Sequence, residues 1–80
     1  PSIKIKKSHI EESINIIDLI IFSKFEFSKS EIRRLLKGRA IKINNKIVED
    51  ETFLINYDLF EDNYFKLSIG KKRHLKIELS

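Results

Sequence analysis

The apolar positions of the 80-residue chain change period along its length, and each period predicts an element. Ile3 and Ile5 alternate with Lys4 and Lys6, a period of two that predicts a half-buried strand already under way from Pro1. Ser8 and Glu11 have the spacing of a capping box and predict a short helical turn. Ile16, Ile17, Leu19, Ile20 and Ile21 then follow with only Asp18 between them, apolar almost all round, which predicts a helix buried on much of its circumference at the centre of the core. Asn15 is placed to cap it, and Asp18 suits the positive end of its dipole.

After the short connection Ser23 to Phe27, the stretch SKSEIRRLLKG reads as a second helix with two unlike faces. Ser28 and Glu31 form a capping box at its head, and Gly38 is expected to end it in the left-handed conformation. Ile32, Leu35 and Leu36 share one side. At about 100° per residue, Lys29, Ser30, Arg33, Arg34 and Lys37 fill a continuous arc beside that stripe. The helix is therefore docked by one face and offers four cations and a hydroxyl on another. An arc of this kind is either a solvated face or a surface for a polyanion.

Ala40 to Ile43 alternates as a strand, Asn44-Asn45 tolerates the positive φ angles of a two-residue hairpin turn, and Lys46 to Val48 returns. A second hairpin is expected at the end, with Phe65, Leu67 and Ile69 alternating with Tyr64, Lys66 and Ser68, a turn at Gly70-Lys71-Lys72, and Leu75, Ile77 and Leu79 alternating with His74, Lys76 and Glu78. Phe22, Phe53, Leu54, Tyr57, Leu59 and Phe60 are expected in the core or at its margin. These elements predict an α+β fold: one small domain over residues 1–80, with two to three short helices packed on a small, mostly antiparallel sheet and a helix-helix-hairpin centre.

Eighty residues allow one small core, and with no Cys there is neither a disulfide nor a thiolate metal site to brace it. The net charge of +4 with 35% charged residues of both signs is a globular surface biased toward a polyanion partner. No apolar run is long enough for a bilayer, because Asn15 and Asp18 interrupt Ile14 to Phe22, and no signal-peptide pattern precedes it; the chain reads as soluble and cytoplasmic, with no membrane partner. The absence of Met and the start in mid-pattern read as a terminal piece of something longer.

Catalytic signals are weak. His9 and His74 are far apart and in no metal-ligand spacing, adjacent acids such as Glu11-Glu12 and Asp50-Glu51 read as solvated, and no glycine-rich phosphate loop or nucleophile motif appears. Lys71, Lys72, Arg73 and His74 form a basic turn that either touches a phosphate backbone or is a solvated hairpin tip. Phe25 and Phe27 are either packing residues or stacking platforms for unpaired bases. The acidic residues Glu49, Asp50, Glu51, Asp58, Glu61 and Asp62 are expected to lie away from any surface for a polyanion, since they would repel phosphate.

The segment Asn15 to Ile20, then SKSEIRRLLKG, then Ile41-Lys42-Ile43-Asn44 resembles the small RNA-binding domain named after ribosomal protein S-four, with its pattern D-x-L, about nine residues, S-x-S-E-A-R-R-L-I-x-x-G-x-V-x-I-N-G. Pro1 to Ile5, the Lys7 to Glu11 turn, the Ser13 to Leu19 stretch and the closing GKKRHLKIEL narrow the resemblance to the C-terminal end of bacterial tyrosyl-tRNA synthetases, and it covers essentially the whole chain. The chain departs from the pattern with Lys24 where a Gly usually closes the first helix, Phe27 at a commonly polar position, Ile32 for Ala, Gly38-Arg39-Ala40 for a glycine-richer turn, and Asn45 for the hairpin Gly.

The resemblance implies a tRNA-binding appendage that grips the long variable arm and the neighbouring anticodon stem of tyrosine tRNA, while a separate catalytic domain of a homodimeric parent uses ATP and tyrosine. It implies no cofactor for these 80 residues, no catalytic residue among them, and no DNA partner. Matching positions of the motif carries RNA contact onto Ser28, Lys29, Ser30, Arg33, Arg34 and Lys37, and Arg39 adds a cation beside them; for Ser28 the cap competes for the same oxygen. Lys71, Lys72 and Arg73 are weaker candidates. The physics of A-form RNA agrees, since its deep narrow groove hides the bases and leaves phosphates, 2′-hydroxyls and shape to be recognised. Two alternatives stay open: an RNA-binding module of another parent, such as a pseudouridine synthase or a ribosome-associated factor, and a structural protein-interaction domain.

Overall fold

A strand that begins the chain and a strand that ends it lie side by side, which closes the fold. The computed structural model describes residues 2–23 and 25–80. Pro1, expected in the first strand, and Lys24, expected near the close of the first long helix, lie outside the described residues. The elements are β1 (Ser2–Ile5), α1 (Lys7–Glu11), α2 (Ile16–Phe22), α3 (Lys29–Lys37), β2 (Ile41–Ile43), β3 (Lys46–Ile47), a 3-10 turn (Tyr57–Leu59), β4 (Tyr64–Ile69) and β5 (Arg73–Leu79). The five strands form one sheet in the order β1-β5-β4-β2-β3. All neighbours are antiparallel except β1 and β5, which pair in parallel with Ser2 opposite Lys76 and Ile5 opposite Leu79. The fold is α+β, as expected.

One face of the sheet carries the helices. Ile16, Ile17, Leu19 and Ile20 of α2 and Ile32 and Leu36 of α3 join Ile5, Ile41, Ile43, Phe65, Leu67, Ile69, Leu75 and Ile77 of the strands in a single core. Each such side chain contributes about 1.5–3 kcal/mol when fully taken from water. The deep anchors of α3 are Ile32 and Leu36, whereas Leu35 is only half-buried.

Several local expectations are corrected. The turn α1 starts before Ser8: Lys6 leaves β1 still extended and is the N-cap, and its N–H donates to His9 Nδ1 at 3.2 Å, so His9 does the work expected of Glu11. Ile21 and Phe22 of α2 are about two-fifths exposed, and Leu54 and Tyr57 are exposed as well. With only two layers, the outer side of α2 is covered only in part, Phe22 meeting the His9 ring with centroids 5.1 Å apart. Ser68, expected on the solvated side of β4, is buried, with its hydroxyl 3.0 Å from His74 Nδ1.

Both hairpin turns are as read. Asn44 and Asn45 adopt φ of 51° and 69°, and Gly70 adopts 68°. Asn44 does more than turn: its Oδ1 accepts the Lys66 N–H at 3.1 Å and its Nδ2 donates to the Leu59 carbonyl at 3.0 Å, fastening the first hairpin to β4 and the 3-10 turn. A third tight turn, Asp62-Asn63 with φ of 53° and 68°, is enclosed by a bridge between Glu61 and Tyr64.

Candidate nucleic-acid interface

Helix α3 is fixed at both ends by its own sequence. At its head the Ser28 hydroxyl accepts the Glu31 N–H at 3.2 Å and the Glu31 carboxylate accepts the Ser28 N–H at 3.1 Å. These bonds hold the Glu31 carboxyl below its ordinary range, the Ser28 backbone bond most, with Arg34 adding a smaller effect. At the tail the Arg39 N–H donates to the Leu36 carbonyl and the Ala40 N–H to the Leu35 carbonyl, at 3.1 and 3.0 Å. This is the Schellman pattern, with a correction: Gly38 keeps φ of −80°, and the left-handed residue is Arg39 at 59°. Gly38 serves by its size, since a Cβ there would come within 3.3 Å of the Arg34 carbonyl oxygen.

With Ile32 and Leu36 buried, Lys29, Ser30, Arg33, Arg34 and Lys37 are all exposed along the helix, and Arg39 continues the basic surface past its end. The positive φ of Arg39 turns the chain into β2 at that point. Arg offers two parallel N–H donors to a phosphate and Lys a point charge. Ser28 is exposed, yet its hydroxyl is engaged as the cap.

The C-terminal hairpin is tied to both flanks of α3. The Gly70 N–H donates to the Ala40 carbonyl at 2.7 Å, and the Arg73 guanidinium lies over the Phe27 ring, 5.0 Å from its centroid. Lys71, Lys72 and Arg73 are exposed at this tip. Phe25 and Phe27 are half-buried against the core with their centroids 6.2 Å apart, so the Phe27 face is occupied by Arg73.

One expectation about charge is overturned. Glu49 and Glu51 lie against the basic surface: Glu51 pairs with Arg33 at 3.3 Å and Glu49 with Arg39 at 3.1 Å. The loop that carries them is shaped by Asp50, which accepts the Thr52 hydroxyl at 2.7 Å and its N–H at 2.9 Å; the hydroxyl bond most, then the backbone bond, holds the Asp50 carboxyl below its ordinary range. The hairpin register contained the signal, because Lys42 opposite Ile47 continues to Ala40 opposite Glu49. All four side chains are about half exposed or more, so each pair is a solvent-screened contact worth roughly 0–1 kcal/mol. Among the described residues no acid pairs with Lys29, Arg34 or Lys37, no group of three His, Cys, Asp or Glu could hold a metal ion, and no helix is long and apolar enough to cross a membrane.

Comparison with known proteins points the same way as the motif. The family model for the tyrosine–tRNA ligase SYY-like C-terminal domain matches residues 1–77. The chain is 54% identical over 79 residues to the tyrosine–tRNA ligase of Pelagibacter ubique, an alignment covering 99% of this chain and 19% of that protein. It is 41% identical over 78 residues to the tyrosine–tRNA ligase of the Wolbachia of Drosophila simulans, and 36% identical over 80 residues to that of Rickettsia massiliae, covering 96% and 99% of this chain and 19% and 20% of those proteins. The chain thus spans about a fifth of the length of these curated relatives. By its sequence across residues 1–77, the chain belongs to the family of tyrosine–tRNA ligase C-terminal domains.

Proposed function

We propose that the chain is the tRNA-binding C-terminal part of a tyrosine–tRNA ligase, holding tyrosine tRNA by its long variable arm and anticodon stem through phosphate and shape contacts. Adenylation of tyrosine with ATP belongs to the rest of a homodimeric, cytoplasmic parent, whose catalytic part is the second partner of this domain. The observation that carries the reading is α3: a nine-residue helix anchored by Ile32 and Leu36 that turns Lys29, Ser30, Arg33, Arg34 and Lys37 outward, in a chain matched by this family across 77 residues. Arg39, Lys71, Lys72 and Arg73 extend the same surface around its two ends. The family match disfavours a pseudouridine synthase or ribosome-associated parent.

Glu49 and Glu51 refine the mechanism. An RNA phosphate arriving at α3 takes the place of a carboxylate on Arg33 and Arg39, exchanging one solvent-screened partner for another. The test is the salt dependence of binding. Each phosphate contact releases condensed counterions, so Arg33→Ala is expected to make the slope of log affinity against log salt shallower by roughly one unit and to weaken binding to all RNA sequences alike. An unchanged slope with unchanged affinity removes Arg33 from the interface.

A further inference from the structure

The face of the sheet opposite the helices is open, and its charge is lopsided. The strand register places three rows of side chains there: Lys42, Ser68 and His74; Lys66, Lys76 and Ser2; Tyr64, Glu78 and Lys4. Lys4, Lys42, Lys66, Lys76 and His74 are exposed. Within these rows four lysines face the one carboxylate of Glu78, while Asp58, Glu61 and Asp62 border the Tyr64 end, so the least opposed positive charge lies toward Lys42.

The arrangement is ordered as well as charged. Lys66 and Lys76 stand directly opposite each other across β4 and β5, a like-charge pair that weakens the sheet. Lys76 is steadied by Glu78 at 3.5 Å and by the Tyr64 ring, 4.3 Å from its Nζ. Among the described residues no acid pairs with Lys4, Lys42 or Lys66. Rows two residues apart along a strand are separated by about 6.6 Å and neighbouring strands by about 4.8 Å, which sets the spacing of the lysines over the face.

We infer that this open sheet face is a second phosphate-backbone surface, which takes a segment of RNA other than the one on α3. Charge complementarity commits the occupant to a polyanion. The core and the sheet lie between α3 and this face in a molecule whose Cα extents are 29 × 24 × 21 Å, so the two surfaces point away from each other. The inference rests on the RNA-binding reading above.

The experiment measures binding of the 80-residue chain to an RNA with two adjacent stems and to each stem alone, at several salt concentrations. The variants are the triple Lys4→Gln, Lys42→Gln, Lys66→Gln, the same triple changed to Arg, and Arg33→Ala. Two linked contacts gain avidity, so the unaltered chain is expected to prefer the two-stem RNA by tenfold or so. The Gln triple is expected to lose that preference, with a salt slope shallower by about three units, while the Arg triple keeps it. If the Gln triple binds the two-stem RNA as the unaltered chain does while Arg33→Ala weakens binding, the sheet-face inference is overturned and the α3 surface stands; the lysines then face something other than RNA. If the triple weakens binding and Arg33→Ala does not, the sheet face stands and the α3 assignment falls. Binding of neither RNA by the unaltered chain overturns the RNA reading and the inference with it.

Discussion

Glu31 is tied at the head of α3 to the Ser28 N–H and then to the Ser28 side chain, with a smaller effect from the charge of Arg34, and all three favour its ionised form. Its carboxyl therefore sits below the ordinary value of 4.5, and the sign of the consequence follows. A depressed carboxyl stabilises the fold at any pH above its unfolded value, and that contribution drains away as pH falls through the folded value. Acidification below about pH 4.5 is expected to loosen the cap. Glu31→Gln keeps an acceptor for the Ser28 N–H without a titrating group, so thermal melts by circular dichroism between pH 7 and 3 should fall less steeply for the Gln variant. Parallel curves would show that the cap does not feel this ionisation. Arg39 is the other telling residue: it holds a left-handed conformation that a non-glycine residue adopts at some cost, and in doing so satisfies the last carbonyls of α3 and turns a guanidinium beside the basic face.

At the scale of elements, α3 and the Asn44-Asn45 hairpin are local structures, and local signals revealed them: a capping box, a 3.6-residue period, and a turn dipeptide that accepts positive φ. The same signals misplaced what depends on distant chain. The exposure of Ile21 and Phe22 follows from a two-layer architecture that a run of isoleucines does not announce. The left-handed residue slipped from Gly38 to Arg39 because the Leu35 and Leu36 carbonyls, not residue type alone, decide where the helix closes. The Asp62-Asn63 turn went unread, although its residue types match those of the first hairpin. The pairing of Glu49 and Glu51 with α3 joins a loop to a helix end, and only the hairpin register brings them together. Glu49→Gln with Glu51→Gln removes two carboxylates competing with phosphate, and RNA affinity at low salt should rise roughly two- to fivefold, the size of screened contacts. A fall in affinity, measured by fluorescence anisotropy, would mean that the acids orient the arginines rather than compete for them.

The whole molecule is a two-layer sandwich in which the apolar side of one sheet holds a basic helix and the other side is left open. The parallel pair of first and last strands lies at one edge of the sheet, and the Gly70–Ala40 bond and the Arg73–Phe27 contact hold the C-terminal hairpin, with Lys71, Lys72 and Arg73, against both flanks of α3. Those two ties bring basic segments up to 44 residues apart in the chain, from Lys29 to Arg73, to the flanks of one helix. The central claim is that this surface reads the shape of tyrosine tRNA. The measurement that tests it most directly is a titration of the chain with three RNAs at two salt concentrations: tyrosine tRNA with its long variable arm, the same tRNA with that arm shortened, and an unrelated tRNA with a short arm. Tighter binding to the intact long-arm tRNA is expected, with an affinity that falls steeply as salt rises. Equal affinity for all three would contradict recognition of the arm, and binding to none would contradict the RNA reading altogether.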